Sequence, residues 1–245
     1  MRWIAVAMLA LLLGGCAAPL PKYPPMDARE SLEVMRTRDS AIRSVQSECD
    51  LSLKDATGSS VSFDAAIVAE WPDRLRLRAW KFGHAAFDLT FTPDGLWMYI
   101  PDEARKHAGP NARFDLTAEQ FGRVWNMIGP AALAGADVAE STATTLRASR
   151  PVDASGHAKL EFDIDRATLT VTEYRFIDAD GRVRESLKMG NYRLFKSGES
   201  EVVWPGRIAA EGESGRIFVR FIDPEFNAAL PEGAFTPPAR ATKQP

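Results

Sequence analysis

The sequence predicts a mainly β chain: one large curved antiparallel sheet whose dry face is covered by helices. Long stretches alternate apolar and polar residues with a period of two, the mark of strands with one dry and one wet face. Two segments with helical spacing interrupt them. Turn signals such as Pro93-Asp94-Gly95 and Asp180-Gly181 keep the strands close in sequence. About eleven strands with two interposed helices is not the pattern of a sandwich, which runs its strands without interruption. No internal repeat or heptad array is present.

The chain opens on Arg2 and an apolar run from Ile4 to Leu13, too short to span a bilayer and of the length of a secretory signal. It ends in Leu13-Gly14-Gly15-Cys16, which resembles the lipobox of bacterial lipoproteins. That resemblance implies cleavage before Cys16 and lipidation of its thiol, so residues 1–15 are read as a lipoprotein signal peptide. Stable anchoring takes about two acyl chains, and lipoproteins of this class carry three, palmitate among them. Ala17 stands where an aspartate would favour retention in the inner membrane, which leans the expectation toward the outer membrane, facing the periplasm.

Removal of residues 1–15 leaves 29 basic against 33 acidic residues, a net charge of −4. Such mild acidity argues against a nucleic-acid partner. With Cys16 lipidated, Cys49 has no partner for a disulfide. It alternates with Leu51 and Leu53 and reads as a small buried side chain.

Residues 16–26 form a lipidated cysteine and a proline-rich tether, extended and semi-rigid. Residues 27–46 read as a helix capped by Asp27, with Glu30 three residues on and Ala28, Leu32, Met35, Ile42 and Val45 at helical spacing. From residue 48 the period becomes two. Val61, Phe63, Ala65, Ile67, Ala69 and Trp71 share a face; Leu75 and Leu77 alternate with Arg74, Arg76 and Arg78; Phe87, Leu89 and Phe91 alternate with Asp88, Thr90 and Thr92. A second helix at 117–127, with Thr117 as cap and Gln120 at the capping-box position, carries Phe121, Val124, Trp125 and Ile128 and stops at Gly129-Pro130. A short Ala-rich helix is expected at 131–136. Strands resume near 144–149, 158–164, 168–177, 182–189, 191–195, 201–209 and 215–222. The folded domain is placed at 27–237, and the tail at 238–245 has little to bury and is expected to be flexible.

This order of elements behind a lipid-bearing cysteine resembles the LolA and LolB lipoprotein-localisation families. The similarity is carried by Leu75–Leu89, with an apolar residue before glycine in a tight loop; by Leu116–Pro130; and by Trp204–Ile208 with Arg216–Phe221 as a closing hairpin. It implies an unclosed β-barrel with a helical lid over an apolar cavity, and the lipid anchor favours the LolB-like form. It further implies a monomeric lipoprotein that binds acyl chains or other lipoproteins and aids their delivery to the outer membrane, with a soluble LolA-like carrier as a possible partner. No cofactor and no metal are implied.

Candidate cavity residues are Phe63, Ile67, Leu75, Leu77, Phe87, Leu89, Phe91, Met98, Leu160, Phe162, Ile164, Ile217, Val219 and Phe221, with Phe121 and Trp125 on the lid. The same alternation would serve an ordinary filled core. Hydrocarbon burial at about 0.8 kcal/mol per methylene gives about 10 kcal/mol at most for a dozen methylenes, so transfer needs no covalent chemistry. In LolB-like proteins the loop residue at Phe82 protrudes and helps membrane insertion. Phe82 with Lys81 is the candidate here, and a Phe folded back over the barrel mouth is the alternative.

Three classes of function are compatible with the chain. The first is the acyl-chain or lipoprotein acceptor. The second is an envelope adaptor or structural lipoprotein that uses the fold to hold a protein or glycan. The third is an enzyme, for which His84, His107 and His157 lie far apart in sequence and no HExxH, CxxC or Gly-x-Ser-x-Gly pattern occurs. Asp163 with Asp165, and Glu199 with Glu201, are strand-face pairs more typical of solvated edges. The chain is therefore read as a non-enzyme.

Overall fold

The computed structural model describes residues 19–104, 118–152, 158–198, 200–212 and 215–244. The lipobox with Cys16, the cap Thr117, the side chain of Gln120, and His107, His157 and Glu199 lie outside the described residues. Among the described residues no helix is long and apolar enough to cross a membrane.

The tether docks early. Tyr23 N–H donates to Ala167 O at 2.9 Å, and the Arg166 guanidinium donates to Met26 O. Helix α1, Ala28–Asp39, begins at the predicted cap, where Asp27 accepts from Arg29 N–H at 2.8 Å. It stops at Asp39 rather than near residue 46. The reason is distant in sequence: Asn227 Oδ1 accepts from Arg43 N–H at 2.7 Å and Ser44 N–H at 3.3 Å, and its Nδ2 donates to Ala41 O. These bonds draw the backbone out of the helix, and Val45 becomes a buried strand residue.

A meander follows: β1 Ser44–Asp55, β2 Ser60–Glu70, β3 Arg74–Lys81, β4 His84–Thr92 and β5 Gly95–Tyr99. Helix α2 is Ala118–Ile128. The expected helix at 131–136 is instead a run of tight turns, Ala132 to Gly129, Ala134 to Ala131 and Ala136 to Leu133. Then come β6 Asp137–Ser141, β7 Thr145–Pro151, β8 Lys159–Asp165, β9 Thr170–Ile177 and β10 Val183–Gly190. The chain finishes with β11 Arg193–Ser197, β12 Ser200–Trp204, β13 Arg207–Gly212, β14 Gly215–Phe226 and β15 Thr242–Lys243. That makes fifteen strands among the described residues, where about eleven were expected. The segment 201–209 divides at Pro205-Gly206, because Gly206 leaves β12 to bond Asn191 O and re-enters the main sheet as β13.

Thirteen strands form one sheet in the order β15-β5-β4-β3-β2-β1-β14-β13-β10-β9-β8-β7-β6, and β11-β12 form a separate hairpin. A sheet of this width curls. Leu96 of β5 and Leu146 of β7, near its two ends, belong to one core cluster together with Leu32 and Met35 of α1 and Trp125 of α2. The sheet therefore wraps both helices, yet its end strands β15 and β6 are not paired with one another, so the barrel is unclosed.

All neighbouring strands are antiparallel, so their turns alternate between two rims. The first rim carries the β1–β2, β3–β4, β7–β8, β9–β10 and β13–β14 turns. The second carries the β2–β3, β4–β5, β6–β7 and β8–β9 turns, with the docked Tyr23.

The outer face of β3 and β4 is not simply wet, as had been expected. Arg76 clamps Asp88 through Nε at 3.0 Å and Nη2 at 2.7 Å, and its Nη1 donates to Ala234 O at 3.3 Å. Thr90 beside them is fully buried. The C-terminal segment lies over this face, and its end pairs with β5 through Thr242↔Met98 and Lys243↔Trp97.

Candidate functional site

The predicted wall residues converge on one face. Leu75, Phe87, Leu89, Met98, Leu160, Phe162, Ile164, Phe221 and Trp125 are buried in a single cluster, and Phe63, Ile67, Leu77, Phe91, Phe121 and Val219 pack against it half-buried. Ile217 differs: it is 41 % exposed and stands outside the cluster.

Two ring contacts fasten α2 to the sheet. Phe121 meets Phe91 with centroids 5.2 Å apart, and Trp125 stacks on Trp71 at 5.0 Å and 10°. Trp125 Nε1 donates to Pro72 O at 3.1 Å. Trp204 closes the group edge-on to Trp71, Phe221 and Phe226. Helix α1 is tied to the turns after α2 by Arg36, whose Nε donates to Leu133 O at 3.1 Å and whose Nη2 donates to Ala136 O. Arg150 Nε donates to Ala132 O in the same run of turns.

Among the described residues, the space found between sheet and helices is small. A partly open space of about 40 Å³ lies near the second rim, bounded by Arg38, Asp39, Ile128, Tyr174, Tyr192 and Trp204 among others. That is room for water and far below the several hundred Å³ of a typical ligand site. Around it, burial pushes the Asp39 carboxyl up against the pull of Arg38, whose Nε bonds it at 2.8 Å. Burial likewise raises the Tyr174 and Tyr192 phenols. Tyr192 donates to Val171 O at 2.6 Å.

Covering weakens toward the first rim. Along β1 the core-facing residues pass from buried Cys49 and Leu51 to half-buried Leu53. On β14 they pass from buried Phe221 through half-buried Val219 to exposed Ile217. Leu53 lies opposite Ile217, and Leu51 opposite both Val219 and Phe63. The result is an apolar strip that continues the packed interior outward. Phe63, on this strip, meets Phe87 edge-on at 5.5 Å.

Beside the strip stands the β3–β4 turn. Lys81 pairs with His84, leaving Phe82 and Gly83 as the two turn residues, with φ of +52° and +78°. Positive φ at both positions is the primed hairpin geometry that matches strand twist. Phe82 is 88 % exposed, so it does not fold back over the mouth. The Lys81 ammonium sits 5.7 Å from the Phe82 ring centroid and 5.8 Å from that of Phe63.

Asp163 and Asp165 have structural partners. Asp163 accepts from Arg147 Nε at 2.8 Å and Arg175 Nη1 at 2.7 Å, and Asp165 accepts from Thr168 N–H and Oγ1. Cys49 is buried and its thiol is pushed up to about 12 by burial, with Asp50 adding to the shift. Sequence reasoning missed a solvent-open polar trough of about 590 Å³ at the second rim, lined by Ser40, Arg43, Ser197, Ser200, Phe226 and Asn227 among others. Its residues come from three distant segments with no shared motif.

No protein-family model matches the chain, and no curated protein matches it in sequence. Solved structures do share its fold over nearly all of both chains. A DUF1329 family protein from Desulfovibrio piger is 14 % identical with a TM-score of 0.57, covering 85 % of this chain and 95 % of its own. A putative outer membrane lipoprotein-sorting protein domain from Vibrio parahaemolyticus is 14 % identical, TM-score 0.55, covering 86 % and 97 %. A LolA superfamily protein from Nitrosomonas europaea is 13 % identical, TM-score 0.56, covering 87 % and 99 %. The chain shares with these structures the fold that the order of elements in the sequence predicted, an unclosed antiparallel sheet around helices.

Proposed function

We propose that the protein is an outer-membrane-anchored lipoprotein, held by acylated Cys16, that binds acyl chains of lipids or lipoproteins and aids their delivery to the membrane. One observation carries the reading: the apolar face runs from the packed interior through Leu53, Phe63 and Val219 to the first rim, where Phe82 projects. The strip is the landing surface, and the interior is the space that α2 vacates when it swings away. Opening costs the Phe91–Phe121 and Trp71–Trp125 contacts, about 1 kcal/mol each beyond area. Burial of a dozen methylenes, about 10 kcal/mol at most, works against this and against the loss of the apolar area that Phe121, Trp125 and Met127 bury. Phe82 and Lys81 meet the bilayer, the ring among the acyl chains and the ammonium at the phosphates. The role is binding rather than catalysis, and a soluble LolA-like carrier is a fitting donor of cargo. The polar trough supports the second reading, an adaptor that grips a protein or glycan.

The test uses a chain beginning at Pro19, since every element described lies within residues 19–244. Titration with a fluorescent fatty-acyl probe should saturate. Phe63→Ser with Val219→Ser should weaken binding about tenfold or more while the fold, read by circular dichroism, is kept. Absence of saturable binding in the parent removes this function and leaves the adaptor.

A further inference from the structure

Among the described residues five large apolar side chains are exposed: Phe82 at 88 %, and Val152, Val183, Ile217 and Phe218 at 38–53 %. All five lie at the first rim. Phe82 is in the β3–β4 turn, Val152 in the β7–β8 turn, Val183 follows the β9–β10 turn, and Ile217 and Phe218 follow the β13–β14 turn. None lies at the second rim, where the tether docks. In the sheet order these four turns span eight strand spacings, about 38 Å along the rim.

We propose that the whole first rim, not the Phe82 hairpin alone, is a docking edge for a lipid bilayer. This rests on the function proposed above only in taking lipid as the partner. The arrangement argues for lipid over protein. The apolar side chains stand on separate turns along a curved edge, whereas a protein partner needs one contiguous patch with close-packed shape. A fluid interface takes each ring or branched side chain where it falls. The charges at the rim agree. Lys54, Lys81 and Arg182 are exposed there. Among the described residues of these turns, most acids are hydrogen-bonded or paired. Asp55 Oδ1 accepts from Thr57 and Ser59, Asp178 accepts from Asp180 N–H, Arg182 N–H and Arg184 Nε, and Glu211 meets Arg216 at 2.6 Å. Asp180 is the exposed acid of the β9–β10 turn. The rim thus offers cations to anionic headgroups between its apolar points. Docked in this way, the strip of Leu53, Phe63 and Val219 opens directly on the bilayer.

The experiment floats the chain beginning at Pro19 with vesicles of phosphatidylethanolamine and phosphatidylglycerol. Val183→Ser with Phe218→Ser leaves Phe82 and the strip intact and should lower partitioning about tenfold or more. A second measurement attaches an environment-sensitive dye at V183C or, as the opposite-rim control, at A143C, the buried Cys49 being unreactive. Vesicles should blue-shift the first and leave the second unchanged. Parental partitioning by the double variant, or equal shifts at both rims, overturns the proposal. Binding of acyl probe without binding of vesicles also overturns it, while leaving the proposed function standing. Binding of vesicles without acyl probe does the reverse.

Discussion

The indole of Trp71 lies flat on that of Trp125, centroids 5.0 Å apart, and it reaches this position because residue 129 is glycine. A Cβ at Gly129 would come 2.3 Å from Trp71 Nε1 and 2.4 Å from its Cδ1. Gly129→Ala must therefore displace the ring that holds α2 against the sheet. Overpacking of this kind costs about 1–3 kcal/mol. The expected outcome is a lower melting temperature, altered near-ultraviolet circular dichroism from the broken tryptophan stack, and faster uptake of an acyl probe. Wild-type dichroism and uptake together would show that this stack does not restrain the lid.

Phe82 occupies a left-handed backbone position that suits glycine or asparagine far better, at a cost of about 1–2 kcal/mol for an L side chain. Its ring gains little in return from the fold, being 88 % exposed. Phe82→Gly should raise the melting temperature slightly, or leave it unchanged, while reducing vesicle binding and delivery. A residue that weakens the hairpin yet serves the membrane must show these opposite signs. A variant that loses stability and keeps membrane binding would mark Phe82 as structural.

The elements that local chemistry governs were legible in the sequence. Asp27 caps α1, and period-two alternation places Leu75, Leu89 and Phe162 on the dry face. What failed was set by distant partners. The end of α1 depends on Asn227, nearly two hundred residues away, and the burial of Thr90 and Asp88 on a nominally wet face depends on Arg76 and the C-terminal segment around Ala234. Strand β6 was invisible because Asp137–Ser141 is mostly exposed and has no dry face to imprint a pattern. Of the site, the apolar set was readable but the space it leaves was not, since alternation reports burial and is silent on what lies opposite. The clustering of exposed apolar residues at one rim needed the strand order, which joins turns that are far apart in sequence.

Asp163 makes the pH dependence of stability testable. Burial alone would raise its carboxyl, but hydrogen bonds and charge from Arg175 and Arg147 outweigh this and hold it below the usual carboxylate range. An acid whose pKa is lowered by folding stabilises the protein above its unfolded value, near 3.9, and that contribution fades as pH falls through the lower folded value. Asp178, held down first by the Arg182 N–H, and Asp55, held down first by Thr57, act in the same sense. Asp39, raised by burial, opposes them. Stability should therefore be nearly flat between about pH 5 and pH 8 and decline below about pH 4. Asp163→Asn removes one carboxylate from between two arginines and should cost about 1–2 kcal/mol at pH 7. Because the parent loses the same charge in acid, the gap between the two proteins should narrow as pH falls below about 4. Urea midpoints of both, measured from pH 7 to pH 2.5, check this, and a gap that stays constant across the range would show that the Arg147–Asp163–Arg175 cluster does not stabilise the fold through its charge.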